Sequence, residues 1–209
     1  MDEDLRAELL RRAETDQAAR SARDSAAASH ADAENLPWLR RAVAERGWPG
    51  RSAVGEDGAT AAWLLAQHAD GDPAFQRRCL DLLTRAADAG EATKAHVAYL
   101  TDRVLLAEGQ PQEYGTQVTW RDRRCVPREL RDPDHVDHRR AAMSLEPLSE
   151  YLTHFTVDGA QAPVSARCVH CGERLDFWPP EAGELASVDC AGCGRTFRFS
   201  LGPPLTPDG

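Results

Sequence analysis

The chain has 209 residues, enough for one hydrophobic core and a small additional module. Its 42% hydrophobic and 28% charged residues and a mean hydropathy of −0.53 are typical of a soluble globular protein. No apolar run reaches the ~18 residues of a membrane span, and the start, "MDEDLRAELLRR", lacks the apolar segment of a secretory signal. We therefore expect a cytoplasmic protein that does not contact membranes. A single lysine and the absence of isoleucine indicate a GC-rich bacterial genome.

The net charge of −9 argues against nucleic-acid binding, because a phosphate binder needs a positive surface. The arginine-rich stretch at 121–132 is only a weak basic patch, since three acids accompany its five arginines.

The sequence pattern of residues 1–156 predicts a mainly α-helical domain. Apolar periodicity and capping residues place helices at 2–28, from Pro37 to Gly47, at 59–69, from Asp72 to about Ala89 and from Thr93 to Gly109. A glycine-rich loop is expected at 47–58 and a short β hairpin at 112–126. A further helix starts at Asp132–Pro133, and "EPLSEYL" closes the domain.

The composition changes near residues 157–164, where Pro, Gly and Cys replace the helical pattern. We predict a small β module at 157–202, with strands at 174–178, 185–189 and 196–200, and a disordered tail at 203–209. Phe177 and Trp178 in this module are candidates for packing against a protein partner.

Two C-x2-C pairs in this module predict a zinc ribbon. They are separated by 18 residues, a length that lets both pairs reach one tetrahedral ion, and a glycine follows each pair. Four thiolates leave no open coordination position, so we expect structural rather than catalytic Zn²⁺. A redox dithiol would need a thioredoxin-like βαβ context, which the segment lacks. The ligands are Cys168, Cys171, Cys190 and Cys193.

Several polar residues of the helical domain adjoin apolar helix faces, where unpaired burial is expensive. His68 follows Leu64 and Leu65, and Asp102 and Arg103 follow Tyr99. One interpretation is a structural polar network. The other is a site in which His68 is a general acid or base, Asp102 orients it and Arg103 holds a ligand anion. Tyr114, Thr116 and Gln117 would add hydrogen-bonding groups at the rim of this site.

The stretches "AAWLLAQHADGDPAFQRRCL" and "YLTDRVLLAEGQPQEYGTQ", followed by "DPDHVDHRRAAMSLEPLSEYL", resemble a bacterial domain-of-unknown-function family that is frequent in actinobacteria. The likeness covers roughly residues 4–153, and the family's signature positions match the candidate residues named above. The resemblance adds further candidate ligand-binding residues, which are Asp16, Gln17, Gln67 and Asp70. It implies a fold but no reaction, and the zinc ribbon is not a part of the family's usual pattern.

The sequence is compatible with two functional hypotheses. The first is a hydrolase or group transferase that acts on a small anionic substrate through His68, Asp102 and Arg103. The alternative is a non-catalytic adaptor whose zinc ribbon recruits a protein partner. No nucleotide-binding glycine motif and no G-x-S-x-G elbow is present. Asp16, His68, Asp70 and Asp102 are also possible ligands of a second metal, but their spacing matches no established ligand pattern.

Overall fold

A computed structural model describes residues 1–121, 124–155, 164–177 and 185–200. Within these residues the chain is mainly α-helical with short two-stranded sheets, which confirms the predicted fold class. The helices are α1 (Glu3–Ser21), α2 (Ser25–Arg46), α3 (Arg51–Gln67), α4 (Pro73–Asp88), α5 (Lys94–Ala107), α6 (Val136–Ala142) and α7 (Leu148–Thr153). The strands are β1 (Val118–Arg121), β2 (Arg124–Pro127), β3 (Val164–Arg167), β4 (Arg174–Phe177), β5 (Leu185–Asp189) and β6 (Thr196–Ser200).

The first helical break lies earlier than the sequence pattern predicts. Arg23 adopts φ 57°, a left-handed conformation that ends α1, and the Asp24 side chain caps α2 by accepting from Ala27 N. Pro37 therefore lies inside α2 rather than at a helix start. The predicted loop at 47–58 is also largely helical, because α3 begins at Arg51 and absorbs a kink at Gly55.

The later helix boundaries confirm the capping signals. The side chain of Asp72 accepts from Phe75 N with Pro73 in the first turn of α4, and Thr93 caps α5 through His96 N. The hairpin predicted at 112–126 corresponds to the β1–β2 sheet.

Helices α1 and α3 run parallel with a nearly constant offset. Three contacts join the two helices. Asp2 N donates to Ala53 O at 2.7 Å, Arg6 donates to Asp57, and Asp16 contacts His68. The contacting residues are 51, 51 and 52 positions apart in the sequence. Helix α2 connects them and packs antiparallel to α1. The core between the helices contains the fully buried residues Leu9, Leu39, Val54, Leu83 and Leu100.

The chain divides into two compact units. One comprises Met1–Val118 and Pro127–Tyr151, and it contains the helical core and all the polar candidates. The other comprises the described residues of Thr119–Val126 and those from Leu152 onward. The predicted boundary near 157–164 falls almost wholly outside the described residues, as does the predicted tail at 203–209. In the described part of the chain, no helix combines the length and apolarity needed to span a membrane.

Candidate functional site

His68 and Asp16 form a close pair at the C-terminal end of α3. His68 Nδ1 lies 2.9 and 3.1 Å from the two carboxylate oxygens of Asp16. Asp16 is fully buried, whereas the His68 side chain keeps 13% of its surface exposed. The pair forms because α1 and α3 run parallel and bring residues 52 positions apart to the same level.

The surroundings of Asp16 keep its carboxyl group ionised. Burial opposes ionisation, but the hydrogen bonds from His68 and Gln17, together with the charge of Arg20, lower the pKa of Asp16 to about 2. Gln17 Nε2 donates to Asp16 at 2.8 Å and Arg20 Nε at 3.0 Å. An ionised carboxylate only accepts hydrogen bonds, so Nδ1 of His68 carries the proton. In a neutral ring Nε2 is then the basic nitrogen.

His68 forms part of the wall of a small cleft beside α2. The cleft has a volume of about 270 Å³ and is lined by α2 residues and the turn after α3, namely Ser29, Asp32, Ala33, Leu36, His68, Ala69 and Gly71. A histidine that is fixed by a buried carboxylate and keeps part of its side chain exposed therefore lines a cleft near the lower size limit of small-molecule sites. We call this space the His68 cleft.

A second cleft lies around Asp70 and Arg103. Arg103 donates to both carboxylate oxygens of Asp70, at 2.9 and 2.5 Å, and to Gln117 Oε1 at 3.3 Å. Burial raises the pKa of Asp70, but the hydrogen bonds and charge of Arg103 outweigh this effect. The pKa of Asp70 therefore lies below its usual value. The cleft measures about 280 Å³ and adds the exposed guanidinium of Arg128. We call it the Arg103 cleft.

Asp102 does not orient His68, contrary to the sequence-based hypothesis. Its Oδ1 accepts from the backbone N–H groups of Glu113 and Tyr114 at 2.8 and 3.0 Å, and its Oδ2 accepts from the N–H and hydroxyl of Thr116 at 2.8 and 2.9 Å. The residue is fully buried, and burial raises the pKa of Asp102 against these bonds. Four donors fill its acceptor positions, so Asp102 shapes the 112–117 loop.

Sequence reasoning missed two buried residues that brace the same loop. Gln112 donates to the carbonyls of Gln117 and Arg128, both at 2.9 Å, and accepts from Gln117 N. Arg140 donates to the carbonyls of Tyr114 and Glu146 at 2.7 and 2.6 Å. Because these partners are backbone groups, side-chain pairing rules offer no signal for either residue.

The other predicted site residues lie in the same unit with separate roles. Gln67 is buried, with Nε2 3.5 Å from Tyr99 O and Oε1 unbonded among the described residues. Tyr114 contributes its backbone to the loop, and burial raises the pKa of its phenol. Gln117 links Arg103 to Thr116 through its side-chain amide. Gln17 is exposed, and its side-chain amide donates to Asp16.

Asp16, Asp32 and His68 also bring potential metal-ligand atoms within 4.8 Å of one another. Arg20 already bridges the two carboxylates, donating to Asp16 at 3.0 Å and to Asp32 at 2.6 Å. Its guanidinium supplies the positive charge that a cation would bring. The other acids considered as ligands, Asp70 and Asp102, are engaged by Arg103 and by the loop backbone.

The four cysteines of the C-terminal unit converge on one point. Cys168 Sγ lies 3.6 Å from Cys193 Sγ, and Cys171 Sγ lies 3.5 Å from Cys190 Sγ. All four thiols are free, and the sulfurs lie within 4.8 Å of one another. Sulfurs at the corners of a zinc tetrahedron with bonds of about 2.3 Å are about 3.8 Å apart. The cluster therefore has the dimensions of a four-thiolate metal site.

Two equivalent turns present these sulfurs. The sheet β3–β4 precedes and follows the first pair, and β5–β6 brackets the second, with both sheets antiparallel. Gly172 and Gly194 have φ of 77° and 68° and donate to the carbonyls of Cys168 and Cys190. Against opposing burial, hydrogen bonds from the N–H groups of His170 and Cys171 lower the pKa of the Cys168 thiol to about 6. Against the N–H group of Glu173, hydrogen bonds shared with the neighbouring sulfurs raise the pKa of Cys171 to about 12, so the cluster without metal keeps part of its protons.

These features define a helical domain with buried polar networks, followed by a small module with a four-cysteine metal-site geometry. A family model described as a family of unknown function, DUF6624, matches residues 3–160, and the chain belongs to that family. A comparison with curated proteins and a comparison with solved structures each gave no match. The match confirms the resemblance to a family of unknown function, and the four cysteines lie beyond it in the chain.

Proposed function

We propose that the helical unit is an enzyme in which His68 exchanges a proton with a substrate bound in the His68 cleft. The observation that supports this proposal is the contact of a buried, ionised Asp16 with Nδ1 of an imidazole that borders a cleft. In this proposal Asp16 replaces Asp102 as the positioning residue. Hydrolysis or group transfer fits, since both need a base that removes a proton from a nucleophile and returns it to a leaving group.

The chemistry follows from the protonation states. Asp16 fixes the Nδ1–H tautomer and stabilises the imidazolium that forms when Nε2 accepts a proton. Arg20 holds Asp16 and Asp32 in place, which limits the rotation of the carboxylate. Ser29 and Asp32 line the same cleft and offer hydrogen-bonding groups to a substrate.

The proposed substrate carries an anionic group that extends to the Arg103 cleft, which is lined by Asp70, two residues after His68. Arg103 and Gln117 offer donors there, and the exposed Arg128 adds a positive charge. Because Asp70 already pairs with Arg103, the anion must compete with that carboxylate. Arg103 is therefore a binding residue in this proposal and not a participant in proton transfer.

A panel of chromogenic carboxylate and phosphate esters tests the proposal. We expect turnover of at least one ester, and His68→Gln should lower it by about 10²–10⁴-fold, the usual contribution of a general base. The matched control is His30→Gln, because the His30 side chain is 75% exposed. Turnover that persists in the His68 variant, or none with any ester, would assign the His68–Asp16 pair to architecture.

We also propose that the four-cysteine cluster holds structural Zn²⁺ in a reducing, cytoplasmic environment. Its sulfur separations and its lack of an open ligand position support this assignment. Elemental analysis should give one zinc per chain, and Cys190→Ser should release it and collapse the NMR signals of residues 185–200. A chain without metal whose C-terminal signals stay dispersed would contradict this proposal.

The alternative is an adaptor in which the zinc module recruits a protein partner. Val169 supports it, since this residue between Cys168 and Cys171 is 83% exposed. The candidate anchors Phe177 and Trp178 offer no support of this kind, because their side chains lie outside the described part of the chain. Val169→Ser in the full chain should abolish partner cross-linking while zinc content stays at one. Unchanged cross-linking would exclude this surface.

A further inference from the structure

A larger cleft lies between α1 and α3 and shares no lining residue with the two clefts described above. It has a volume of about 830 Å³, within the range of small-molecule sites. Helix α1 contributes Leu10, Ala13, Glu14 and Gln17. Helix α3 contributes Glu56, Asp57, Thr60, Ala61, Trp63 and Leu64.

The cleft is an open groove along two closely packed helices, because only small side chains lie between two contacts, here called clasps, that join α1 and α3. The ion pair Arg6–Asp57 closes one end and the Asp16–His68 pair closes the other. Ala13, Thr60 and Ala61 lie between the clasps and fill little of the space there.

The floor of the cleft is apolar and includes the indole of Trp63. One face of this ring stacks on His96, with centroids 4.0 Å apart and planes within 4°. Its Nε1 is buried without an acceptor among the described residues. Leu10 and Leu64 extend this apolar surface along the two helices. A ligand with an aliphatic or aromatic body would fit such a floor.

The charged side chains that line the cleft are all acidic. Asp57 is neutralised by Arg6, but Glu56 has only a 3.8 Å ion pair with Arg51. Glu14 is exposed, and no ion pair among the described residues engages its carboxylate. The chain as a whole carries a charge of −9. An anion would be repelled here, whereas a cation would gain the field of at least one unpaired carboxylate.

We propose that the α1–α3 cleft binds a small amphipathic amine. The apolar body contacts Trp63 and the leucines, and the protonated amine lies beside Glu14. The proposal does not depend on catalysis by His68, because no residue of that pair lines this cleft. It differs also in the sign of the ligand charge from the anion proposed for the Arg103 cleft.

Three matched probes test the inference on the full chain: 4-phenylbutylamine, 4-phenylbutanol and 4-phenylbutyrate, titrated into ¹⁵N-labelled protein. We expect the amine to shift the amide signals of residues 10–17 and 56–64. It should bind about fivefold more tightly than the alcohol, the gain expected from one carboxylate at hydrogen-bond distance in water. The butyrate should bind most weakly.

Two variants connect the binding to the cleft. Glu14→Gln should reduce the affinity for the amine to that for the alcohol, whereas Glu45→Gln, an exposed acid on α2, should leave the preference intact. Thr60→Phe should fill the exposed mouth and abolish binding of the amine, with amide dispersion reporting the fold. Equal affinities for the three probes, shifts outside the cleft, no binding, or a preference that survives Glu14→Gln would each overturn the proposal.

Discussion

Asp16 and Asp102 are both fully buried aspartates on helices, yet their environments differ in kind. Asp102 accepts only from the 113–116 segment, whose backbone supplies three of its four donors. Asp16 accepts from three side chains, one of which is a histidine at the edge of a cleft. The comparison indicates that the type of donor, rather than burial, separates an architectural carboxylate from a candidate functional one.

Replacing Asp102 should have the largest effect on stability. Asp102→Ala leaves three N–H groups and a hydroxyl without an acceptor, those of Thr116 buried, so we expect the free energy of unfolding to fall by about 3–5 kcal/mol. Urea denaturation measures it, with the exposed Asp134→Ala as the control. A loss below about 1 kcal/mol would show that the 112–117 loop does not depend on this carboxylate.

Replacing Asp16 should cost less stability than replacing Asp102. In Asp16→Asn, Arg20 keeps its ion pair with Asp32, and His68 can still form a hydrogen bond to solvent. We therefore expect the free energy of unfolding to fall by about 2 kcal/mol. Ester turnover should fall as much as in His68→Gln, which a purely structural role would not produce. The control is the exposed Asp4→Asn. A variant with full turnover would make Asp16 equivalent to Asp102.

His96 contrasts with His68, because no carboxylate among the described residues pairs with its imidazole. Burial, together with the charge of Arg51, lowers the pKa of His96 to about 4. Since the unfolded side chain titrates near 6.5, the unfolded state binds more protons between pH 6.5 and 4, and stability is lost as the pH falls through that window. Allowing for solvent screening, the loss is about 1–2 kcal/mol.

Urea denaturation at pH 7 and pH 4.5 measures this loss. His96→Phe keeps an aromatic ring against Trp63 and should lose less stability between the two pH values than the wild type. His30→Gln, at an exposed site, should behave like the wild type. A wild-type chain with equal stability at both pH values would indicate that burial does not lower the pKa of His96.

The smallest effect is expected at the Asp70–Arg103 pair. The side chain of Asp70 is 56% exposed, so Asp70→Asn should change the free energy of unfolding by less than about 1 kcal/mol. The same change frees Arg103 and should tighten binding of inorganic phosphate, measured by calorimetry, whereas Asp72→Asn should not. Weaker phosphate binding in Asp70→Asn would count against an anion site in the Arg103 cleft.

The local signals in the sequence were sufficient for much of the fold. Asp72 with Pro73, and Thr93, predict the starts of α4 and α5, because capping depends on residues a few positions apart. The cysteine cluster is predictable for the same reason. Pro37 misplaced a helix start, because α2 continues through this proline and packs against α1 and α3.

The pairing within the candidate site was not predictable from the sequence. Asp16 and His68 are 52 residues apart, and no local sequence pattern predicts that α1 and α3 run parallel. Asp102 and His68 were both correctly placed near apolar faces, but helix periodicity does not say which neighbour each face meets. Asp32 and Arg20 were missed, since their importance lies in linking α1 to α2.

The parallel alignment of α1 and α3 has a consequence for how this chain can vary. The clasps at Arg6–Asp57 and Asp16–His68 are separated by ten residues on one helix and eleven on the other. Deleting one residue between them would turn the following side chains by about 100° and shift them by about 1.5 Å. Asp16 would then miss His68 even though every residue of the pair was retained. Relatives of this chain should therefore tolerate substitutions between the clasps far more readily than changes in length.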